Sequence, residues 1–231
     1  MNLEYLGDAL DHWKGSLFEY LLSEGALRHF MVDPMATDGV PWSDADLSLY
    51  ACLLRINCDQ IVPHRASLLS RDRYFSEIER QGDVFLDPDI GVGVRRSPIV
   101  KYVKPRELAA LLCSASGRVV AVYQHVRGQK TGKRVDGCLA AIGKEIDSVG
   151  WCSYESATVA MLFLSDDQAR THEIALALQK LLGCHAKRRI RFGPNRRSLV
   201  LSGLPANRGV DVSHVSGSKW RRETATPAHQ S

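Results

Sequence analysis

The chain has 231 residues, of which 45% are hydrophobic and 24% are charged, and its formal net charge is +4. This composition predicts one ordinary soluble domain with a substantial core. No apolar segment approaches the length of a membrane span, and the amino terminus lacks the pattern of a secretion signal, so we expect a cytoplasmic protein without membrane contact. The six cysteines form no Cys-x-x-Cys pair, so neither a disulfide framework nor a zinc site is indicated.

The first part of the chain alternates between helical and strand-like patterns. Leucines at helical spacing predict an opening helix over residues 8–23. On its polar face Asp11 and Lys14 are spaced to pair across one turn, although His12 and Lys14 could also point into a cleft. An apolar run over residues 28–33 predicts the first strand, and Ser43 is the expected cap of the second helix.

The later elements continue this alternation and are read from the same signals. They are a helix over 71–80, a strand at 84–86, a helix from Pro105 to Gly117, a strand over 118–125, a basic loop at 127–134, a helix over 135–148, two strand-like segments within 150–164, a helix over 167–182 capped by Ser165 or Asp166, and an edge strand within 196–204.

Strands that alternate with helices indicate a three-layer α/β/α sandwich with a largely parallel central sheet. We expect residues 1–204 to form this domain and the polar residues 205–231 to form a flexible tail. Ligands of such sheets bind outside the carboxyl ends of the strands. Polar side chains are predicted at those ends, namely Asp33, Asp87, Asp89, Gln124 and His125.

These side chains suit a reaction that needs no cofactor. The chain has no P-loop and no G-x-S-x-G elbow, and the turn after the first strand lacks the glycines that seat a dinucleotide or S-adenosylmethionine. Cleavage of a glycosidic bond passes through a sugar cation, which a carboxylate stabilises, while a histidine assists the departing group. The expected catalytic residues are Asp33, Asp87, Asp89 and His125.

The expected partner is DNA, with one base turned out of the helix into a pocket. Residues placed to shape that pocket and stack on the base are Pro34, Trp42, Tyr74, Phe75, Tyr123 and Gln124. Basic residues expected to hold the flanking phosphates are Arg127, Lys130, Lys187, Arg188, Arg189, Arg191, Arg196 and Arg197. No metal site is predicted, and the pattern does not define an oligomeric state.

A family resemblance supports this reading. The segment Phe30-Met-Val-Asp33-Pro34 resembles the first motif of the uracil-DNA glycosylase superfamily, in which a strand ends in Asp-Pro and the acid assists water or the sugar cation. The resemblance also implies a later strand that ends in a histidine-bearing loop, which Val122-Tyr-Gln-His125 supplies. Val32 stands where the family has Gln, Met35-Ala36 stand where it has Tyr-His, and the acidic turn at Asp87 replaces its middle-strand Asn. Such differences suit a modified base, for example the decorated cytosines of phage DNA, and hence a role in phage defence.

Other functions remain open at this stage. The order of elements also resembles a class I methyltransferase, whose last two strands form a hairpin, and Leu86-Asp-Pro-Asp89 is similar to the Asp-Pro-Pro-Tyr motif of amino-methylating members. Methyl transfer from S-adenosylmethionine to nucleic acid is the first alternative. A magnesium-dependent nuclease built on Asp87 and Asp89 and a non-catalytic nucleic-acid-binding module are the others. Asp-Pro also ends strands for structural reasons, because proline stops pairing and aspartate caps the next turn.

Overall fold

The computed structural model describes residues 1–37, 41–63, 67–78, 82–94, 100–126 and 128–196. The chain divides into two units, Met1–Ser198 and Leu199–Ser231, and all the described elements belong to the first. The predicted tail over residues 205–231 lies outside the described residues.

Helices and strands alternate along the described chain. The helices are α1 (Ala9–Ser23), α2 (Asp44–Leu54), α3 (Arg71–Ser76), α4 (Pro105–Cys113), α5 (Thr131–Ile142) and α6 (Gln168–Leu182). The strands are β1 (Phe30–Asp33), β2 (Asp83–Leu86), β3 (Gly91–Val92), β4 (Tyr102–Val103), β5 (Val120–His125), β6 (Ser148–Glu155), β7 (Val159–Ser165) and β8 (Ile190–Arg196). Short 3-10 helices lie at Leu3–Tyr5, Cys58–Gln60 and Gly183–Arg188.

The main sheet has the strand order β1-β2-β5-β7-β6-β8. The pairs β1·β2 and β2·β5 are parallel. Strand β7 lies antiparallel between β5 and β6, and β8 is antiparallel to β6. Strands β1, β2, β5 and β6 therefore point in one direction and β7 and β8 in the other. The predicted α/β sandwich with a largely parallel central sheet is confirmed, because four of the six strands share one direction. A small parallel pair of β3 and β4, which the sequence did not predict, forms a second sheet.

Helices cover both faces of the main sheet. Side chains alternate along each strand, so Phe30 and Phe85 pack against α1, α2 and α6, whereas Met31 and Leu86 pack against α3, α4 and α5. Burial on both faces explains the nearly continuous apolar runs of β1 and β2. Each such side chain that is fully buried contributes about 1.5–3 kcal/mol.

Local signals set the starts of α1 and α2, and a glycine sets their contact. The Asp8 side chain accepts from two backbone amides at the start of α1, and Ser43 forms a capping box with Asp46 at the start of α2, as predicted. Gly15 of α1 faces the carbonyl of Leu53 so closely that a Cβ at this position would clash. Glycine therefore permits the close approach of the two helices.

Tertiary contacts move several boundaries from their predicted places. Helix α5 begins at Thr131, not at residue 135, because the Thr131 hydroxyl donates to the carbonyls of Ser156 and Ala157 and holds this turn. Helix α4 ends at Cys113, before Gly117. Helix α6 is capped by Asp167 rather than by Ser165 or Asp166, since the Asp166 carboxylate instead accepts from the Gly117 amide.

The edge strand also begins earlier than predicted. Strand β8 covers Ile190–Arg196, so the basic segment forms a short 3-10 helix and this strand, while residues 197–204 lie outside the described residues. Pro194 is tolerated in β8 because this strand lies at the edge of the described sheet. No helix in the described part of the chain combines the length and apolar character needed to cross a membrane.

Candidate functional site

A cavity of about 320 Å³ opens at the carboxyl ends of β2 and β5. Its walls come from the start of the chain, from α1, from the turn after β2 and from the end of β5. The polar and aromatic residues in the wall include Tyr5, Asp11, Lys14, Asp87, Asp89, Lys101, Tyr123 and His125. This is the edge of the sheet at which α/β folds bind ligands.

A buried ion-pair network forms the floor of the cavity. The Lys14 ammonium lies 2.7 Å from Asp87 Oδ2 and 3.0 Å from Asp11 Oδ1, and it also lies 4.5 Å from the centre of the Tyr123 ring. Burial alone would lower the pKa of Lys14, but the two carboxylates outweigh it and the pKa is raised. Lys14 is therefore a fixed cation that orients Asp87.

Asp87 presents its two oxygens differently. Oδ2 accepts from Lys14 and, at 2.9 Å, from the Tyr50 hydroxyl. Burial and the charge of Asp87 raise the pKa of Tyr50 well above its ordinary value, so Tyr50 stays a donor. Within the described residues, no group donates to Oδ1 of Asp87. Since Asp87 lines the cavity, Oδ1 is the oxygen available to a ligand.

Asp89 lies in the same turn but is more fully engaged. It accepts from the Thr37 hydroxyl at 2.6 Å and lies 3.2 Å from the Met1 amino group and 3.6 Å from Lys101 Nζ. Burial would raise the pKa of Asp89, but these partners outweigh it and the pKa is lowered. Asp89 is therefore a largely buried anion that three partners hold in place.

The end of β5 places two side chains in the cavity wall and a third on the opposite face of the sheet. His125 and Tyr123 line the cavity, with Tyr123 Oη 3.4 Å from His125 Nε2 and the two rings nearly perpendicular. Gln124 points away: its amide accepts from the Val92 backbone and donates to the Ile90 and His125 carbonyls. Gln124 thus braces the turn after β2 and does not line the cavity.

Asp33 is buried beside β1 and is not part of the cavity wall. Its Oδ1 accepts from the Met35 amide at 2.8 Å and from the Tyr74 hydroxyl at 2.6 Å. This is the local turn geometry that aspartate favours, and Met35 adopts a positive φ of 45° within it. The structure therefore does not bring the Asp33 carboxylate together with Asp87 in the cavity.

Most of the predicted substrate-binding residues also lie elsewhere. Tyr123 lines the cavity, whereas Pro34, Trp42, Tyr74, Phe75 and Gln124 do not. The Trp42 ring packs edge-on against the Tyr50 ring, with 5.3 Å between the ring centres, and the Phe75 ring lies beneath the guanidinium of Arg71. These aromatic side chains support the site or the core and are not a stacking surface in the cavity.

Sequence reasoning missed several residues of the site. Tyr5, Tyr50 and Lys101 were not predicted to belong to the site. The predicted pairing of Asp11 with Lys14 is confirmed. The one signal for the other contacts of the site was a lysine on the polar face of α1. That signal does not reveal Asp87 as the partner of Lys14, because the two residues are 73 positions apart.

The predicted phosphate-binding residues whose side chains the structure describes fall into two groups. Arg191 is neutralised by Glu155 at 2.6 Å and by Asp136 at 2.8 Å, and Arg189 donates to the Glu155 carbonyl. Lys130, Lys187 and Arg188 are exposed and form no ion pair within the described part of the chain. Arg127 and Arg197 lie outside the described residues, as does the side chain of Arg196.

The exposed basic residues lie toward the same edge of the sheet as the cavity. Ile190 at the start of β8 pairs with Tyr154 near the end of β6, and β6 runs in the same direction as β5. Lys187 and Arg188 immediately precede β8, and Lys130 precedes α5 on the connection that leaves the end of β5.

No arrangement of three or more His, Cys, Asp or Glu side chains suited to a metal ion occurs among the described residues. No protein-family model matches the chain, and a search of curated proteins finds no similar sequence. The fold and the geometry of this cavity are therefore the basis for assigning a function.

Proposed function

We propose that the chain acts on DNA, that one modified base is turned into the cavity, and that the reaction is hydrolytic removal of this base. The observation that carries the proposal is the cavity at the ends of β2 and β5, with Asp87 in its floor and Tyr123 and His125 beside it. An aromatic ring, a carboxylate and an imidazole are the groups that base binding and excision require.

The reaction assigns one role to each group. Water attacks C1′ of the sugar while the bond from C1′ to the base nitrogen breaks. The carboxylate of Asp89 stabilises the cationic sugar and accepts the water proton, while Asp87 in the floor contacts the base. His125 donates a proton or a hydrogen bond to the departing base. Asp33 lies outside the cavity, so its role in this mechanism is only to stabilise the turn after β1.

The charge of the surface supports DNA as the partner. Lys130, Lys187 and Arg188 are exposed toward the cavity edge of the sheet. Such side chains neutralise phosphates and release counterions, which gives affinity without sequence preference.

Methyl transfer to nucleic acid is the second candidate, and the position of β7 favours it. The resemblance to class I methyltransferases implied a hairpin of the last two strands. Strands β6 and β7 form such a hairpin, with β7 inserted beside β5, although the additional strand β8 follows them. The turn after β1, however, contains the buried Met35 side chain and no glycine-rich approach for S-adenosylmethionine. The cofactor-free reaction is therefore placed first.

Base release without a cofactor tests the proposal. Purified protein is incubated with ordinary DNA and with phage DNA that carries modified cytosines, followed by alkali cleavage at abasic sites and mass analysis of the released bases. We expect release from modified DNA, loss of turnover in Asp87→Asn and His125→Ala, and full turnover in the exposed control Asp59→Asn.

Three other outcomes decide between the alternatives. Absence of abasic sites on every DNA, together with methyl transfer when S-adenosylmethionine is added, refutes hydrolysis and supports the second candidate. Binding of DNA without either reaction indicates a non-catalytic module, and its affinity would survive the double substitution of Asp33 and Asp87. Release of bases by Asp87→Asn at the wild-type rate removes Asp87 from the mechanism.

A further inference from the structure

We infer that the cavity selects a base that presents an exocyclic amino group, as cytosine and adenine do, over the corresponding oxo base. The inference rests on the proposed function and specifies the substrate class of the same site. It comes from the hydrogen-bond state of the buried carboxylates in the wall.

Asp87 is the carboxylate in the buried part of this wall that keeps an oxygen for a ligand. Both oxygens of Asp11 are engaged, by Lys14 at 3.0 Å and by the Gly7 amide at 3.0 Å. Both oxygens of Asp89 are engaged as well, by the Met1 amino group and the Thr37 hydroxyl. Oδ1 of Asp87 has no donor among the described residues, although the whole side chain is only 2% exposed.

The orientation of this oxygen is fixed. Lys14 and Tyr50 both donate to Oδ2 of Asp87, and both are themselves buried. The carboxylate therefore cannot turn without losing two donors, one of which is charged. A carboxylate in an ion pair is an acceptor only, so Oδ1 can receive a hydrogen from a ligand but cannot give one.

This acceptor discriminates between bases. An exocyclic amino group donates a hydrogen to a carboxylate, which is the contact that acidic residues make with cytosine N4. A carbonyl oxygen at the same position of the base would face Oδ1 with lone pairs on both atoms. The cavity therefore favours the amino base and also rejects the oxo base.

Binding of matched nucleosides to the full chain tests the inference without any turnover. Deoxycytidine is compared with deoxyuridine, and deoxyadenosine with deoxyinosine, by calorimetric titration at millimolar ligand. Each pair differs at one exocyclic group. We expect the amino member of at least one pair to bind about tenfold more tightly than its oxo partner. Equal affinity, preference for the oxo member or absence of binding in both pairs overturns the inference.

A substitution at Asp87 locates the preference. Asp87→Asn supplies an amide that can donate to a carbonyl, so the preference should disappear or reverse, whereas Asp59→Asn should keep it. Persistence of the wild-type preference in a folded Asp87→Asn protein overturns the assignment to this residue. If this variant does not fold, the wild-type comparison of the two pairs still decides the inference.

The failure of the inference and the failure of the proposed function give different results. Release of an oxo base such as uracil from DNA, with no preference for amino nucleosides, refutes the inference and leaves hydrolysis standing. Selective binding of amino nucleosides without base release supports the inference and refutes hydrolysis.

Discussion

Removal of the Lys14 charge should cause a large loss of stability. In Lys14→Met the side chain keeps its approximate length, but Asp11 and Asp87, which are 1% and 2% exposed, lose their shared cation. Removing one partner of a buried ion pair costs about 3–5 kcal/mol, because the remaining charge stays buried without compensation. A domain of this size loses about 2–4 °C in Tm for each kcal/mol, so the expected decrease is about 6–20 °C.

The effect should depend on pH in a defined direction. The pKa of Lys14 is raised above its ordinary value of 10.5, so its stabilising contribution is complete below that pH and is lost as the pH rises through the raised pKa. In the variant the two buried carboxylates lack their shared cation, and protonation removes the cost of burying their negative charges. The difference in the free energy of unfolding between wild type and variant should therefore shrink as the pH falls from 7 toward about 4, near the ordinary pKa of aspartate.

Urea unfolding at neutral and acidic pH measures this difference. Lys180→Met is the matched control, because Lys180 also pairs with a carboxylate, Glu24, at 2.8 Å but is 69% exposed. Exposed ion pairs contribute little, so the control should unfold almost as the wild type does. If Lys14→Met has the same free energy of unfolding as the wild type at pH 7, the network is not the stabilising element described here.

Three further predictions concern other parts of the molecule. Gly91 has a φ of 119° and a Cβ there would strike the Gln124 amide, so Gly91→Ala should destabilise the protein. In Gly137→Ala, within α5, the Cβ makes only an ordinary contact, so this variant should be more stable by about 1 kcal/mol. Urea unfolding of both variants checks this, and a Gly91→Ala protein as stable as the wild type would contradict it. Cys138 and Cys152 are buried, and burial raises the pKa of the Cys138 thiol to about 11 and that of the Cys152 thiol further. At neutral pH a thiol reagent should therefore modify these two only after unfolding, whereas it should rapidly modify the exposed Cys52, Cys58, Cys113 and Cys184. Lys187→Gln and Arg188→Gln should each weaken DNA binding and reduce the slope of log affinity against log salt by about one, while Lys180→Gln should change neither; an unchanged slope would remove these two residues from the interface.

Local patterns in the sequence determined most of the elements. The spacing of leucines predicted α1, the Ser43 cap predicted the start of α2, and the short apolar runs before Asp33 and Asp87 predicted β1 and β2. These features depend on neighbours within a few residues, because capping and the periods of helix and strand are local properties. The acids at the strand ends were placed correctly for the same reason.

The tertiary structure decided which of those acids face the cavity. Asp33 and Asp87 follow the same kind of apolar run, yet Asp33 is held by Tyr74 and its own turn, whereas Asp87 contacts Lys14 and Tyr50 in the cavity floor. Each of these side-chain pairs joins positions 37 or more residues apart. No local pattern specifies such contacts, because they arise only when helices pack onto particular strands.

The position of β7 has the same origin. The sequence predicted two neighbouring strand-like segments within residues 150–164, but the insertion of β7 between β5 and β6 depends on pairing with β5, whose residues are about forty positions away. The sequence alone therefore determined the class of fold and the presence of acids at strand ends. Only long-range packing determined the order of the strands and left Oδ1 of Asp87 as the acceptor facing the cavity.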